Sequence, residues 1–164
     1  EITEFLDVIL SGTNVGVLSE AGCPGIADPG SQLISKAHFR GIQVIPLTGP
    51  SSIFLALMSS GFNVQNFIFH GYLPIDKKEK QNKIMDMERD LIKRGYTQIF
   101  METPYRNEKL FADLLNTLNQ DTLLCIACDI SGESEFIKTS SIRNWKILHP
   151  ALHKNPAIFL IGIA

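Results

Sequence analysis

The chain has 164 residues, 45% of them hydrophobic, enough to bury a substantial core as one domain or two small ones. Its formal net charge is −2 with a pI near 6.1, which excludes a strong global field for phosphate backbones, so any contact with nucleic acid must be local. No apolar run reaches the roughly 18 to 20 residues of a membrane-spanning helix, and no basic segment leads into an apolar stretch as in a signal peptide. The three cysteines, an odd number, make a poor disulfide framework and suit a reducing, cytoplasmic setting.

Residues 1–10 read as an amphipathic helix with neither an initiator Met nor a preceding strand, which leads us to expect a segment upstream. A turn cluster at residues 11–14 is followed by Val15-Gly16-Val17-Leu18-Ser19, read as a short apolar strand. Residues 20–30 then form a loop dense in Gly and Pro, and residues 31–40 a helix with Leu33, Ile34 and Ala37 inward, stopped by Gly41. With residues 42–47 as a second buried strand, this stretch is expected to be a parallel crossover unit. Thr48-Gly49-Pro50-Ser51-Ser52 opens a further helix over 53–60, with Ser51 or Ser52 as N-cap.

The texture changes near residue 62. Residues 67–74 read as a strand leaving through an aromatic loop, 76–94 as a long charged helix, 98–102 as a strand, 105–118 as a helix, and 123–129 and 135–139 as adjacent strands. A short helix over 142–145 and a closing strand over 157–163 complete the pattern, and adjacent strands of this kind imply a mixed sheet. The reading is of two α/β domains, 1–62 and 63–164. Cys125 and Cys128 form a C-x-x-C, but within an apolar strand and without a second Cys/His pair at zinc spacing, so they are read as core and no metal is expected. The basic run at 76–83 fits a solvated helix face better than a nucleic-acid patch. His70 is read as structural rather than catalytic.

In open α/β sheets ligands sit beyond the carboxyl ends of the strands. The two Gly/Pro-rich loops, 20–30 and 48–52, each placed between a predicted strand and a helix, should lie side by side there. Glycine at 22 and 25 would let a ligand approach the backbone, while Pro24 and Pro29 stiffen the loop. Neither loop has the phosphate-cradling pattern of nucleotide hydrolases or the glycine fingerprint of dinucleotide-binding proteins. Two tight turns holding no ligand remain the plain alternative.

Leu18-Ser19-Glu20-Ala21-Gly22-Cys23-Pro24-Gly25-Ile26-Ala27-Asp28-Pro29-Gly30 resembles a signature segment of the tetrapyrrole methylase superfamily, in its ribosomal RNA small subunit methyltransferase I-like branch. Val44 to Ser52, Phe69-His70-Gly71-Tyr72-Leu73-Pro74 and Phe100-Met101-Glu102-Thr103-Pro104-Tyr105-Arg106 resemble later motifs of the same branch, in the same order. Glu20 stands where that branch usually has Asp, Cys23 where it has Thr, and Asn155-Pro156-Ala157 where it usually has a Lys-Gly-Glu type sequence; the superfamily's glycine-loop strand has no counterpart in the sequence. The resemblance implies two α/β domains of the tetrapyrrole-methylase type with S-adenosylmethionine in the cleft between them.

Carried over position by position, it places Ala21, Gly22, Cys23, Ile26, Ser51, Ser52, Glu102, Ile130, Pro156 and Ala157 against that cofactor. It also implies methylation of small-subunit ribosomal RNA at the 2′-oxygen of a cytidine, and a homodimer. Methyl transfer from a sulfonium needs mainly positioning and exclusion of water, but a ribose hydroxyl benefits from a proton acceptor or a nearby cation. Glu20 and Arg106 are the candidate catalytic residues, and Tyr72, Tyr105 and Arg106 the candidate acceptor contacts, by stacking and by bidentate pairing with phosphate. Arg106 could instead pair with Glu102 or Glu108. A tetrapyrrole or other small-molecule acceptor, and a non-catalytic cofactor-binding module, are the competing readings.

Overall fold

The computed structural model describes residues 2–19 and 22–163. The chain divides into a compact unit ending at Ser51 and a second beginning at Ser52. The division therefore lies ahead of the helix that the sequence reading had assigned to the first domain. That helix belongs to the second unit because its apolar face, Ala56 and Leu57, packs on that unit's sheet.

In the first unit, helix α1 (Ile2–Leu10) buries Leu6, and helix α2 (Ser31–Phe39) buries Ala37. An ion pair between Arg40 and Asp7, at 2.7 Å, links the end of α2 to α1. Neither expected strand is present among the described residues: residues 15–19 and 42–47 carry no ladder, so the crossover unit predicted here is not formed. β-Propensity describes how a side chain fits a pleated, half-buried surface, and it makes a strand only when a neighbouring backbone completes the ladder. Leu18, Ile45 and Leu47 accordingly remain exposed.

The second unit is a three-layer sandwich. Five strands, β1 (Phe67–Tyr72), β2 (Thr97–Glu102), β3 (Leu123–Cys128), β4 (Phe136–Ser141) and β5 (Ala157–Gly162), lie in the order β1-β2-β5-β3-β4. β1 and β2 are parallel, joined by helix α4 (Lys77–Arg94); every other pairing is antiparallel. The crossover thus sits in this unit, and the sheet is mixed, as expected from the adjacent strands.

β5 is central and buried along its whole length, and its alternation divides the core. Ala157, Phe159 and Ile161 face α4, helix α5 (Asn107–Thr117) and helix α6 (Ile142–Trp145), whereas Ile158 and Leu160 face helix α3 (Ser52–Ser60). β3 does the same: Cys128 joins the first cluster and Cys125 the second. Their thiols lie on opposite faces of one strand, which forbids a shared metal or a disulfide between them and explains the C-x-x-C as core.

Local sequence sets each helix. Asp76 caps α4 by accepting from the Glu79 amide at 2.9 Å, and Gly95, at φ 70°, ends it in the left-handed conformation that only glycine adopts readily. The buried residues Lys80, Ile84, Met87 and Leu91 recur at helical spacing. Lys80 corrects the solvated-face reading of the basic run: it is buried and paired at 3.0 Å with Asp113 of α5, while Lys77 and Lys78 remain in solvent. Trp145 of α6 is fully buried and donates from Nε1 to the Leu124 carbonyl at 2.8 Å.

Candidate functional site

The two units carry the candidate residues separately, and each half is built locally. In the first, Gly22 and Gly25 take φ values of 72° and 80°, with open space where a Cβ would project. The loop backbone is therefore bare on that side, as close approach by a ligand requires. Ala27 also adopts a left-handed conformation, φ 56°, uncommon for a residue with a side chain. The Ile26 amide donates to the Cys23 carbonyl at 3.2 Å, and the Cys23 thiol reaches the Pro50 carbonyl at 3.7 Å. That contact brings the two Gly/Pro-rich loops side by side, as the sequence suggested, although among the described residues no strand precedes either. Glu20 and Ala21 lie outside the described residues. Ser51 is buried at the end of this unit, and Ser52 is the first residue of α3.

In the second unit the carboxyl ends of β1, β2 and β3 and the start of β5 share one end of the sheet. Glu102, Ala157, Cys128 and Phe136 are aligned across four neighbouring strands in one row. Besides Ser52, the cofactor candidates of this unit are Glu102, Pro156 and Ala157, in or next to that row, and Ile130, which follows just past the end of β3, packed on the α3 side of the core. Glu102 and Ala157, far apart in sequence, are set side by side here by register alone.

Glu102 is 3% exposed. One oxygen accepts from Arg106 Nη2 at 2.6 Å and from the Thr103 amide at 2.7 Å, while Oε2 is buried without a partner among the described residues. Arg106 also donates from Nε to the Thr103 hydroxyl at 3.1 Å. Of the two pairings open from sequence, Arg106 takes Glu102. A buried carboxylate is costly unless compensated, and here a charge-assisted hydrogen bond compensates one oxygen only. The Arg106 side chain keeps about a third of its surface in solvent, and Tyr105 and Tyr72 are exposed.

Sequence reasoning missed the turn that follows β3. Asp129 and Ser131 both adopt positive φ, 51° and 65°. The Asp129 carboxylate accepts from the Ser134 amide at 3.0 Å and its hydroxyl at 2.6 Å, and these bonds hold its pKa below the usual carboxylate range. A Cβ at Gly132 would fall 2.2 Å from that carboxylate, so a larger residue there would push the carboxylate out of this arrangement. The Asp129 amide in turn donates to the Pro156 carbonyl at 2.9 Å, which ties the turn carrying Ile130 to the start of β5. Backbone strain of this kind persists only where the surroundings over-determine it, and it concentrates at ligand sites.

His70, on the edge strand β1, lies 2.7 Å from the Gln98 side-chain oxygen, and Gln98 in turn donates to Asp90 at 3.2 Å. Burial lowers its pKa, partly opposed by the Gln98 hydrogen bond. This is the structural role expected from sequence.

No family model matches the sequence. The chain is 32% identical over 134 residues to the ribosomal RNA small subunit methyltransferase I of Vibrio cholerae, covering 82% of this chain and 45% of that protein. It is 30% identical over 159 residues to the protein of that name from Buchnera aphidicola subsp. Schizaphis graminum, covering 95% of this chain and 54% of the relative. The chain thus spans about half the length of the curated relatives it matches. In fold it is similar to the methyltransferase CobJ, with a TM-score of 0.65 at 16% identity over 99% of this chain and 70% of that one. It is similar also to uroporphyrin-III-C-methyltransferase from Thermus thermophilus, with a TM-score of 0.59 at 16% identity over 98% and 69%. The likeness read from the ordered motifs is therefore one of both sequence and fold.

Proposed function

We propose that this chain, related in sequence to the ribosomal RNA small subunit methyltransferase I proteins and built on the fold of tetrapyrrole methyltransferases, belongs to an S-adenosylmethionine-dependent enzyme that methylates the 2′-oxygen of a cytidine in small-subunit ribosomal RNA. The observation that carries the reading is the 30% identity extending over 95% of the chain to a relative of that name.

The residues present fit the cofactor in kind. In the first unit, the open glycine backbone at Gly22 and Gly25, with Cys23 and Ile26 in the same loop and Ser51 at the unit's end, would offer contacts to the cofactor, and the resemblance adds Ala21. In the second unit, Ser52, Ile130, Pro156 and Ala157 are the residues the resemblance assigns to the cofactor, and Oε2 of Glu102, without a partner among the described residues, offers an acceptor to a donor group of a ligand. When bound, S-adenosylmethionine supplies an electrophilic methyl group on sulfur. The chain's contribution is then orientation and exclusion of water.

Arg106, anchored by Glu102 and Thr103, presents the rest of its guanidinium to an acceptor phosphate, and Tyr105 and Tyr72 stack on bases. Glu102 is engaged by a cation and an amide, which suits positioning better than proton abstraction. Glu20 remains the candidate base. We assign the protein to the cytoplasm, where its substrate would be, and to a homodimer.

Tritium from labelled S-adenosylmethionine should enter the 16S-type RNA of unmodified small ribosomal subunits. Label that stays out of RNA would overturn the acceptor. The similarity to uroporphyrin-III-C-methyltransferase favours a second reading, a tetrapyrrole acceptor, for which label would enter a porphyrinogen instead. Calorimetric binding of S-adenosylhomocysteine with label entering neither acceptor would favour the non-catalytic cofactor-binding module, and no binding at all would refute both enzyme readings. A sedimentation measurement checks the dimer.

A further inference from the structure

Asn107 opens α5, directly after Arg106, and none of its surface reaches solvent. Its Nδ2 donates to the Asn155 carbonyl at 2.7 Å, across 48 residues of sequence, and its Oδ1 is buried without a partner among the described residues. Because the facing atom is a carbonyl, only the amide's NH2 side can be turned toward it. Burying an amide with half its capacity unused is unfavourable. A helix start could be served by Ser or Asp in solvent at no such cost, so the side chain's placement follows from what it holds.

What it holds is the segment leading into β5. Asn155 precedes Pro156, whose carbonyl accepts from the Asp129 amide at 2.9 Å, and Ala157, which pairs with both Glu102 and Cys128. The approach to β5 includes Lys154 at φ 63°, a conformation that needs support. The segment is thus fastened on one side by the β3 turn and on the other by Asn107.

We infer that Asn107 is a positioning residue for cofactor binding: it fixes the backbone of residues 155–157 from the α5 side, so that Pro156 and Ala157 present a constant surface at the end of the sheet. The inference rests on the cofactor reading of Pro156 and Ala157 given above.

The test is calorimetric titration of the full-length protein with S-adenosylhomocysteine, in the native form and as Asn107→Leu and Asn107→Ser. Leu matches the volume without the donor. Ser suits the first turn of a helix but cannot reach Asn155, so it keeps the test open if Leu prevents folding. Both variants should bind about tenfold more weakly at a temperature where circular dichroism shows them folded. With small ribosomal subunits as acceptor, the loss should fall on KM for S-adenosylmethionine while kcat changes less than twofold. Folded variants that bind within twofold of the native protein, or that lose kcat at unchanged KM, would overturn the inference. A native protein that fails to bind at all refutes the cofactor reading instead.

Discussion

Replacing Arg106 by Met keeps the length of the side chain and removes its charge, leaving the Glu102 carboxylate with the Thr103 amide alone. The Glu102 side chain is fully buried, but that of Arg106 retains 34% of its exposure, so water already screens part of the pair. Breaking a fully buried pair costs about 3–5 kcal/mol because a charge is left uncompensated; the partial exposure of the arginine brings the expected loss to about 2–3 kcal/mol. The single tryptophan, Trp145, is buried in the same unit and reports its unfolding by fluorescence. Urea titration should show the midpoint falling with the slope unchanged. The double variant Glu102→Gln/Arg106→Met, which carries no charge there, should recover about half of the loss or more. A single variant within about 0.5 kcal/mol of the native protein, a change typical of a surface site, would refute the claim that Arg106 compensates a buried carboxylate. So would a double variant whose loss equals the sum of the two singles.

The remaining expectations concern packing, protonation and thiol access. A Cβ on Gly162 would lie 2.3 Å from the Phe62 ring, so Gly162→Ala should cost at least about 1–3 kcal/mol by overpacking; in a Phe62→Ala background most of that penalty should vanish, and simple additivity would contradict the assigned contact. His70, with its pKa lowered below 6.5 by burial, binds a proton more readily unfolded than folded, so its contribution leaves stability intact above about 6.5 and erodes it as pH falls below that value. Urea midpoints measured from pH 7.5 to 5.5 should decline less in His70→Gln than in the native protein, and parallel declines would rule the histidine out. Cys125 and Cys128 are buried, and burial raises the pKa of both thiols, whereas Cys23 is only half-buried. A thiol reagent applied to the native protein should therefore modify Cys23 first, with the other two following only on unfolding.

Much of the second unit is legible in local sequence, because its signals are local in origin. Asp76 and Gly95 delimit α4 by capping, the spacing of Leu110, Phe111 and Leu114 marks the inner face of α5, and the unbroken apolar run at 157–161 marks a strand buried on both sides. The same kind of signal failed at residues 15–19 and 42–47, where apolar, β-prone residues form no strand among the described ones. A ladder is a property of two backbones, and one segment's composition does not specify the other.

The ordered motifs around Gly22, Ser51 and Glu102 were enough to name a related family and to nominate residues. Which of those residues meet was settled by sheet register: Glu102, Ala157 and Cys128 fall in one row because β5 runs antiparallel between β2 and β3. Arg106's choice of Glu102 over Glu108 depended on the short turn at Thr103 and Pro104, which folds the arginine back over the strand end. Asn107 and the strained turn at Asp129 carried no signal in the sequence at all. Each acts through a partner far along the chain or through a backbone angle, and side-chain identity alone encodes neither; only the folded sheet brings Asn155 to Asn107 and Pro156 to Asp129.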